Sequence, residues 1–271
     1  MTFEPSRLQI PLESPSDLRH PAGVIPAGLF PQVSVAAIEA WDAGLKTVRV
    51  DFTPEPFNAG QFFQLCLERH GKVVKRSYSA ASAPGAPLEF FLSFVEKGEL
   101  TPGLFDLKVG DLLGVDPKPL GFFTLQEVPP CETLWLISTG TGLGPYISML
   151  RHGAGLARFA RIVLVHGART VLQLAYQKEL EARVAEDPRL TYVPVVSRSD
   201  APAHGVSGRI TTAFASGALE ERARVKLDTN SHVLFCGNPQ MIEEMVTALK
   251  ARGLAKHRRR EPGHFNFEKY W

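Results

Sequence analysis

Cysteine is scarce in this chain of 271 residues, which carries three thiols, Cys66, Cys131 and Cys236, far apart in sequence. None forms a Cys-x-x-Cys pair, which excludes most zinc and iron–sulfur spacings, and no metal is expected. An odd number of isolated thiols reads as a reduced protein, so a cytoplasmic location is expected. Excess charge is missing too. The net charge of +2 is too small to mark a nucleic-acid binder, whose surface must meet phosphates. No apolar run approaches the ~20 residues of a membrane span. Residues 1–30 are proline-rich, contain Glu and Asp, and lack a basic start followed by an apolar stretch, so no signal peptide is read there. They carry no functional signal, and residues 1–32 are set aside as an N-terminal extension.

What is present is an ordinary globular composition, 44% hydrophobic and 21% charged. The length exceeds what one hydrophobic core usually serves, so two domains are expected. From about Val33 to Leu125, short apolar runs are broken by Gly and Pro: Leu45–Phe52, Phe62–Leu67, Lys72–Ser79, Leu88–Val95, Asp111–Val115 and Phe122–Leu125. Their spacing, roughly 8–15 residues, reads as an antiparallel sandwich or barrel over 33–128. One short helix is expected near Leu104–Lys108. After Val128-Pro129-Pro130 the pattern changes. Thr133–Ser138, Ile162–His166, Thr191–Val196 and His232–Cys236 are continuous apolar strands, as in a sheet buried on both faces. Helical stretches at Tyr146–Leu150, Val171–Glu186 and Met241–Arg252 lie between them, the last closed by Gly253. This alternation predicts a doubly wound, parallel α/β domain over 129–271.

Four local signals carry chemistry. Ser138-Thr139-Gly140-Thr141-Gly142-Leu143-Gly144-Pro145 leaves a strand and opens a helix, where bare backbone and free N–H groups can approach phosphate. A plain strand–helix turn is the alternative. Cys236-Gly237-Asn238-Pro239-Gln240-Met241 repeats that setting at the last apolar strand, although Cys236 also reads as a small core residue. Arg76-Ser77-Tyr78-Ser79 offers an anion clamp beside an aromatic plane, or an ordinary edge strand. Finally, Phe265 and Phe267 face one side of a predicted terminal strand, and Glu268 and Tyr270 the other. The basic run Lys256-His257-Arg258-Arg259-Arg260 fits either a solvated surface or a docking patch for an acidic partner.

The order of these motifs, with Gly98-Glu99-Leu100-Thr101-Pro102 between the first domain and the glycine turn, resembles the ferredoxin–NADP reductase family over about residues 35–271. Val165-His166-Gly167-Ala168-Arg169, Val196-Ser197-Arg198, Ser207-Gly208-Arg209-Ile210 and the Tyr270-Trp271 ending resemble its bacterial flavodoxin/ferredoxin branch, enterobacterial type. The extension at residues 1–30 and the Gly142-Leu143-Gly144 wording depart from that type.

The resemblance implies FAD along the barrel and NADP(H) on the α/β domain. It implies a role for Arg76 on the FAD diphosphate, with Ser77 beside it, for Tyr78 against the flavin and for Ser79 near flavin N5. Phe91, Leu92, Ser93 and Phe94 would offer backbone, Glu99, Leu100 and Thr101 would cap the diphosphate, and Thr141 would sit where the cofactors meet. Tyr270 would stack on the flavin as a gate, and Trp271 would fold over the adenine. Arg169, Arg198 and Arg209 would bind the NADP 2′-phosphate, where arginine forks favour NADP over NAD. Asn238 and Gln240 would flank the nucleotide. Ser79, Cys236, Glu268 and Tyr270 form the expected catalytic set, with no covalent intermediate. The implied activity is electron transfer from NADPH to ferredoxin or flavodoxin by a monomeric enzyme. An NADH-dependent flavin or cytochrome reductase is a rival that the three arginines count against. A flavin redox sensor is another, with no need of Cys236 and Glu268.

Overall fold

The computed structural model describes residues 30–270. The expectations placed on residues 1–29 and on Trp271 lie outside the described residues.

Six strands make the first half: β1 (Gln32–Asp42), β2 (Leu45–Val50), β3 (Phe62–Arg69), β4 (Lys72–Ser79), β5 (Glu89–Ser93) and β6 (Leu112–Val115). They pair antiparallel in the order β4-β3-β6-β1-β2-β5. A bridge between Ala80 and Phe90 joins the two ends, so the sheet closes into a barrel. Val35, Val50, Phe63, Leu65, Phe90 and Val115 fill its interior. Each such side chain contributes roughly 1.5–3 kcal/mol on burial. A short helix, α1 (Thr101–Asp106), leads into β6.

The second half is a parallel sheet of β7 (Thr133–Thr139), β8 (Arg161–Ala168), β9 (Leu190–Val196), β10 (Val206–Ser207), β11 (Ser231–Gly237) and β12 (Phe265–Lys269). Its order is β10-β9-β8-β7-β11-β12. Helices α2 (Gly144–His152), α3 (Gln177–Glu186), α4 (Ile210–Ala215), α5 (Ala218–Ala223) and α6 (Pro239–Ala251) cover its faces. Side chains alternate between two cores. Trp135, Ile137, Val163, Val165 and Phe235 join α4 and α6 on one face. Leu134, Leu136, Leu164 and Leu234 join α2 on the other, in a core that also takes in Leu45, Ala81, Phe91, Phe123 and Leu125 of the barrel half. Barrel and sheet therefore share one apolar seam.

The fold class agrees with the sequence reading, and several elements differ from it. The run Phe122–Leu125 is no strand. Phe123 and Leu125 plug the shared core, and Leu125–Glu127 turns as a short 3₁₀ helix. Strand β1, absent from the apolar runs, buries little beyond Val33 and Val35, so its pattern is faint. The helix expected near Leu104–Lys108 runs earlier, started by Pro102 in its first turn. The stretch Val171–Glu186 splits, because Tyr176 adopts φ 60° and α3 begins only after it. The terminal strand lies as expected. β12 pairs parallel with β11 from Val233–Phe265 to Gly237–Lys269, Phe267 packs on the α6 side, and Tyr270 packs on the seam.

Candidate active site at the seam

The site is built where β4, β7, β11 and β12 end together. A Cβ on Gly142 would run into the Cys236 carbonyl, and one on Gly237, at φ 127°, would run into Thr139. Only bare backbone lets these two turns nest. The Asn238 N–H donates to Thr139 Oγ1 at 2.8 Å and locks them. Gly140, at φ 53°, has nothing within 4 Å of where a Cβ would lie, so its rim is open to a ligand. Thr141 is buried inside the turn. Behind it the turn winds straight into α2, with the Gly144 N–H donating to the Thr141 carbonyl and Pro145 in the first helical turn.

Four side chains from the ends of three strands, β4, β11 and β12, close on this turn. The Tyr270 hydroxyl donates to Ser79 Oγ at 2.7 Å, and Ser79 Oγ donates to Glu268 Oε2 at 3.4 Å. Tyr270 is also hydrogen-bonded to the Cys236 thiol, and Cys236 and Glu268 are register partners on adjacent strands. Burial pushes the Glu268 carboxyl up to about 7, against the opposing hydrogen bond from Ser79. Burial, with the nearby Glu268 charge adding to it, pushes the Cys236 thiol well above its ordinary value. Burial does the same to the Tyr270 phenol. At neutral pH the thiol and phenol are therefore neutral, and Glu268 is poised between its two forms. Among the described residues no cation pairs with it. Such a group can hold or release a proton at working pH.

The same rung of the sheet continues from Cys236 to Ser138 and His166. His166 is fully buried, its Nδ1 lies 3.3 Å from the Tyr192 hydroxyl, and its Nε2 has no partner. Burial pushes it down to about 3, so it is neutral.

On the barrel wall, Arg76 is exposed and pairs with Glu99. Ser77 is exposed beside it, and Tyr78 is half-buried, its phenol pushed up to about 12 by burial. Phe91 and Leu92 bury their side chains in the core, which leaves only backbone to offer a ligand. Ser93 is half-buried, and Phe94 lies exposed against Phe105 at 5.2 Å. Leu100 is buried, and Thr101 Oγ1 ties the loop to both the N–H and carbonyl of Val95.

Arg169, Arg198 and Arg209 follow β8, β9 and β10, three neighbouring strands, and all are exposed. The Arg198 N–H donates to the Arg169 carbonyl at 2.7 Å, which joins two of the loops. Among the described residues none of the three pairs with a carboxylate. Asn238 Oδ1 instead caps α6, accepting from the Gln240 and Met241 N–H groups. The Gln240 amide donates to Glu244 at 2.9 Å. The basic run is partly neutralised: Arg258 pairs with Glu261, and Arg259 forks onto Glu127 while lying 4.3 Å over the exposed Phe122 ring.

Sequence reading missed a second cluster on the seam. Arg151 on α2 binds Glu179 of α3 through Nε and Nη2 at 2.9 and 2.8 Å, and Glu89 of the barrel through Nη1 at 2.8 Å. The Tyr176 hydroxyl donates to Glu89 at 3.1 Å and is hydrogen-bonded to Thr47 at 2.7 Å. The available signal is that Ser148 and Arg151 are polar positions in a helix whose other central residues are apolar.

A barrel closed on a parallel sheet, with a glycine turn and a proton-holding carboxyl where they meet, defines a pyridine-nucleotide oxidoreductase. Residues 136–247 match the oxidoreductase NAD-binding domain model. The chain belongs to the flavodoxin/ferredoxin–NADP reductase family. It is 44% identical over 243 residues to the flavodoxin/ferredoxin–NADP reductase of Escherichia coli K12, covering 88% of this chain and 97% of that one. It is 33% identical over 248 residues to the ferredoxin–NADP reductase of Azotobacter vinelandii, covering 87% and 95%. The crystal structure of a Neisseria gonorrhoeae ferredoxin–NADP⁺ reductase with bound FAD and NADP superposes with a TM-score of 0.83 at 28% identity, covering 89% and 98%.

Proposed function

We propose that this chain is a flavoenzyme moving electrons between NADPH and a one-electron carrier, ferredoxin or flavodoxin. The observation that carries the reading is the cluster of Ser79, Cys236, Glu268 and Tyr270 closing on the glycine turn. The residues present fit the two cofactors. FAD would be held by residues 33–128, with Arg76 and the Glu99–Thr101 loop to receive its diphosphate and Tyr78 and Ser79 to face its ring. NADP(H) would be held by residues 129–271, where the rim at Gly140 is open to a ligand and Arg169, Arg198 and Arg209 would receive the 2′-phosphate.

Bound there, the flavin supplies what side chains cannot, taking up a hydride and releasing electrons singly. The chain's own groups do the rest. Glu268 holds the accompanying proton near neutral pH, and Ser79 orients it. Cys236 stays a neutral thiol and shapes the nicotinamide pocket. Tyr270 covers Ser79 from water and would have to yield that place to a nicotinamide. The carrier is acidic and meets the basic segment around Lys256 and Arg260, in a salt-sensitive complex. The three free thiols suit the reducing cytoplasm.

The test is anaerobic stopped-flow reduction of the bound flavin by NADPH and by NADH in parallel. The expected result is fast bleaching by NADPH and far slower bleaching by NADH. Equal rates would remove the 2′-phosphate assignment, and failure to bind FAD would remove the reading altogether.

A further inference from the structure

We infer that Ser148 and Arg151 are positioning residues for hydride transfer, holding the glycine turn of the sheet in register with the serine end of β4. This rests on the function proposed above. Gly144, Ser148 and Arg151 stand at i, i+4 and i+7, one stripe of α2. That stripe lies along a single barrel segment, Ser79 to Ser82. A Cβ on Gly144 would sit 3.8 Å from the Ser79 carbonyl. Ser148 Oγ, fully buried, donates to the Ser82 carbonyl at 2.6 Å. Arg151 Nη1 donates to the Ala81 carbonyl at 3.1 Å, and the same Nη1 reaches Glu89. The segment is held from its other side as well. The Ala81 N–H donates to the Glu89 carbonyl at 2.7 Å, and the Glu89 N–H to Ser82 Oγ at 3.2 Å.

The two ends of this arrangement are the two walls of the site. Ser79 begins the clamped segment on the barrel side, and Gly144 ends the turn on the nucleotide side. At 1.5 Å per residue, Arg151 stands about 10 Å along the helix from Gly144, so it acts through α2 rather than on a cofactor. Hydride transfer tolerates little error, and about 1 Å of misplacement costs on the order of a hundredfold in rate. The seam's apolar core holds the halves together in bulk. These bonds set where along one another they rest.

The experiment uses the FAD-loaded protein and its Ser148→Ala and Arg151→Lys variants, with Arg151→Ala as a third. Flavin reduction by NADPH is timed in stopped flow, and reoxidation by ferricyanide, a one-electron acceptor needing no nicotinamide alignment, is timed beside it. Hydrogen–deuterium exchange is followed in the peptide 79–89. The expected result is reduction slowed about tenfold or more with reoxidation and KM for NADPH nearly unchanged. Exchange in 79–89 should also rise in the folded variants. Unchanged reduction rates in folded Ser148→Ala and Arg151→Lys, or equal losses in both half-reactions, would overturn the inference. A wild-type protein that NADPH does not reduce would instead overturn the functional reading.

Discussion

Two clusters share the seam, and each contains a carboxylate withdrawn from water. At one end Glu179 meets Arg151 and Arg183. Burial alone would raise its carboxyl, but the hydrogen bonds and charge of those guanidiniums outweigh burial and hold it below the ordinary value. At the other end Ser79 hydrogen-bonds to Glu268, no cation among the described residues pairs with it, and burial raises it to about 7. The interface is the same and the electrostatics are opposite. Where the seam must hold its shape, a carboxylate is given a cation and made permanent. Where a proton must come and go, the cation is left out and the carboxyl stays titratable.

The sharpest way to break this contrast is to remove the cation. Arg151→Ala takes the paired cation from Glu89 and leaves Glu179 to Arg183, and it should cost about 3 kcal/mol, at the low end of the buried-pair penalty because the guanidinium is 23% exposed. Urea unfolding measures it, and a loss below about 1 kcal/mol would mean that the apolar core alone holds the seam.

Glu268→Gln probes the other end through pH. The folded pKa of about 7 lies above the ordinary 4.5, so the folded state binds this proton more tightly. The stability it contributes is fully present below about pH 4.5 and is lost as pH rises through 7. The stability difference between wild type and Glu268→Gln should move by about 3 kcal/mol across that window. Glu179 works in the reverse sense, because its depressed value makes its contribution present at high pH and lost on acidification. A flat difference curve for Glu268→Gln would erase the contrast.

Smaller effects sharpen it. Tyr176→Phe removes the hydroxyl shared by Thr47 and Glu89 and should cost about 1 kcal/mol by thermal unfolding, with flavin reduction unchanged. Arg259→Ala, at an exposed pair with Glu127, should change stability least of all, and any loss should shrink further in high salt.

The sequence reading succeeded where burial imposes a simple pattern. β7, β8, β9 and β11 are covered on both faces and read as unbroken apolar runs. β10, α4 and α5 are six residues or fewer and leave no periodic trace. Phe123 and Leu125 look like a strand because they are apolar, yet they are buried by the seam rather than by a ladder. Motif order foretold a glycine turn and a terminal carboxyl, since those signals are local. The bonds joining them are not. Ser79 and Tyr270 meet across 191 residues and Arg151 and Glu89 across 62, pairings that no short window contains. Only the polar stripe on α2 hinted at the second cluster.

The shared core has a consequence for recombination. Phe91, Phe123 and Leu125 from one half interlock with Leu134, Tyr146 and Tyr176 from the other. A chimera joined between β6 and β7 from two relatives would keep both sheets and still mismatch these surfaces wherever the relatives differ at them. Exchange of halves succeeds only if the facing residues travel together. Inheritance in this molecule therefore follows the seam, and the crossover point that looks natural in the chain cuts through a single packed unit.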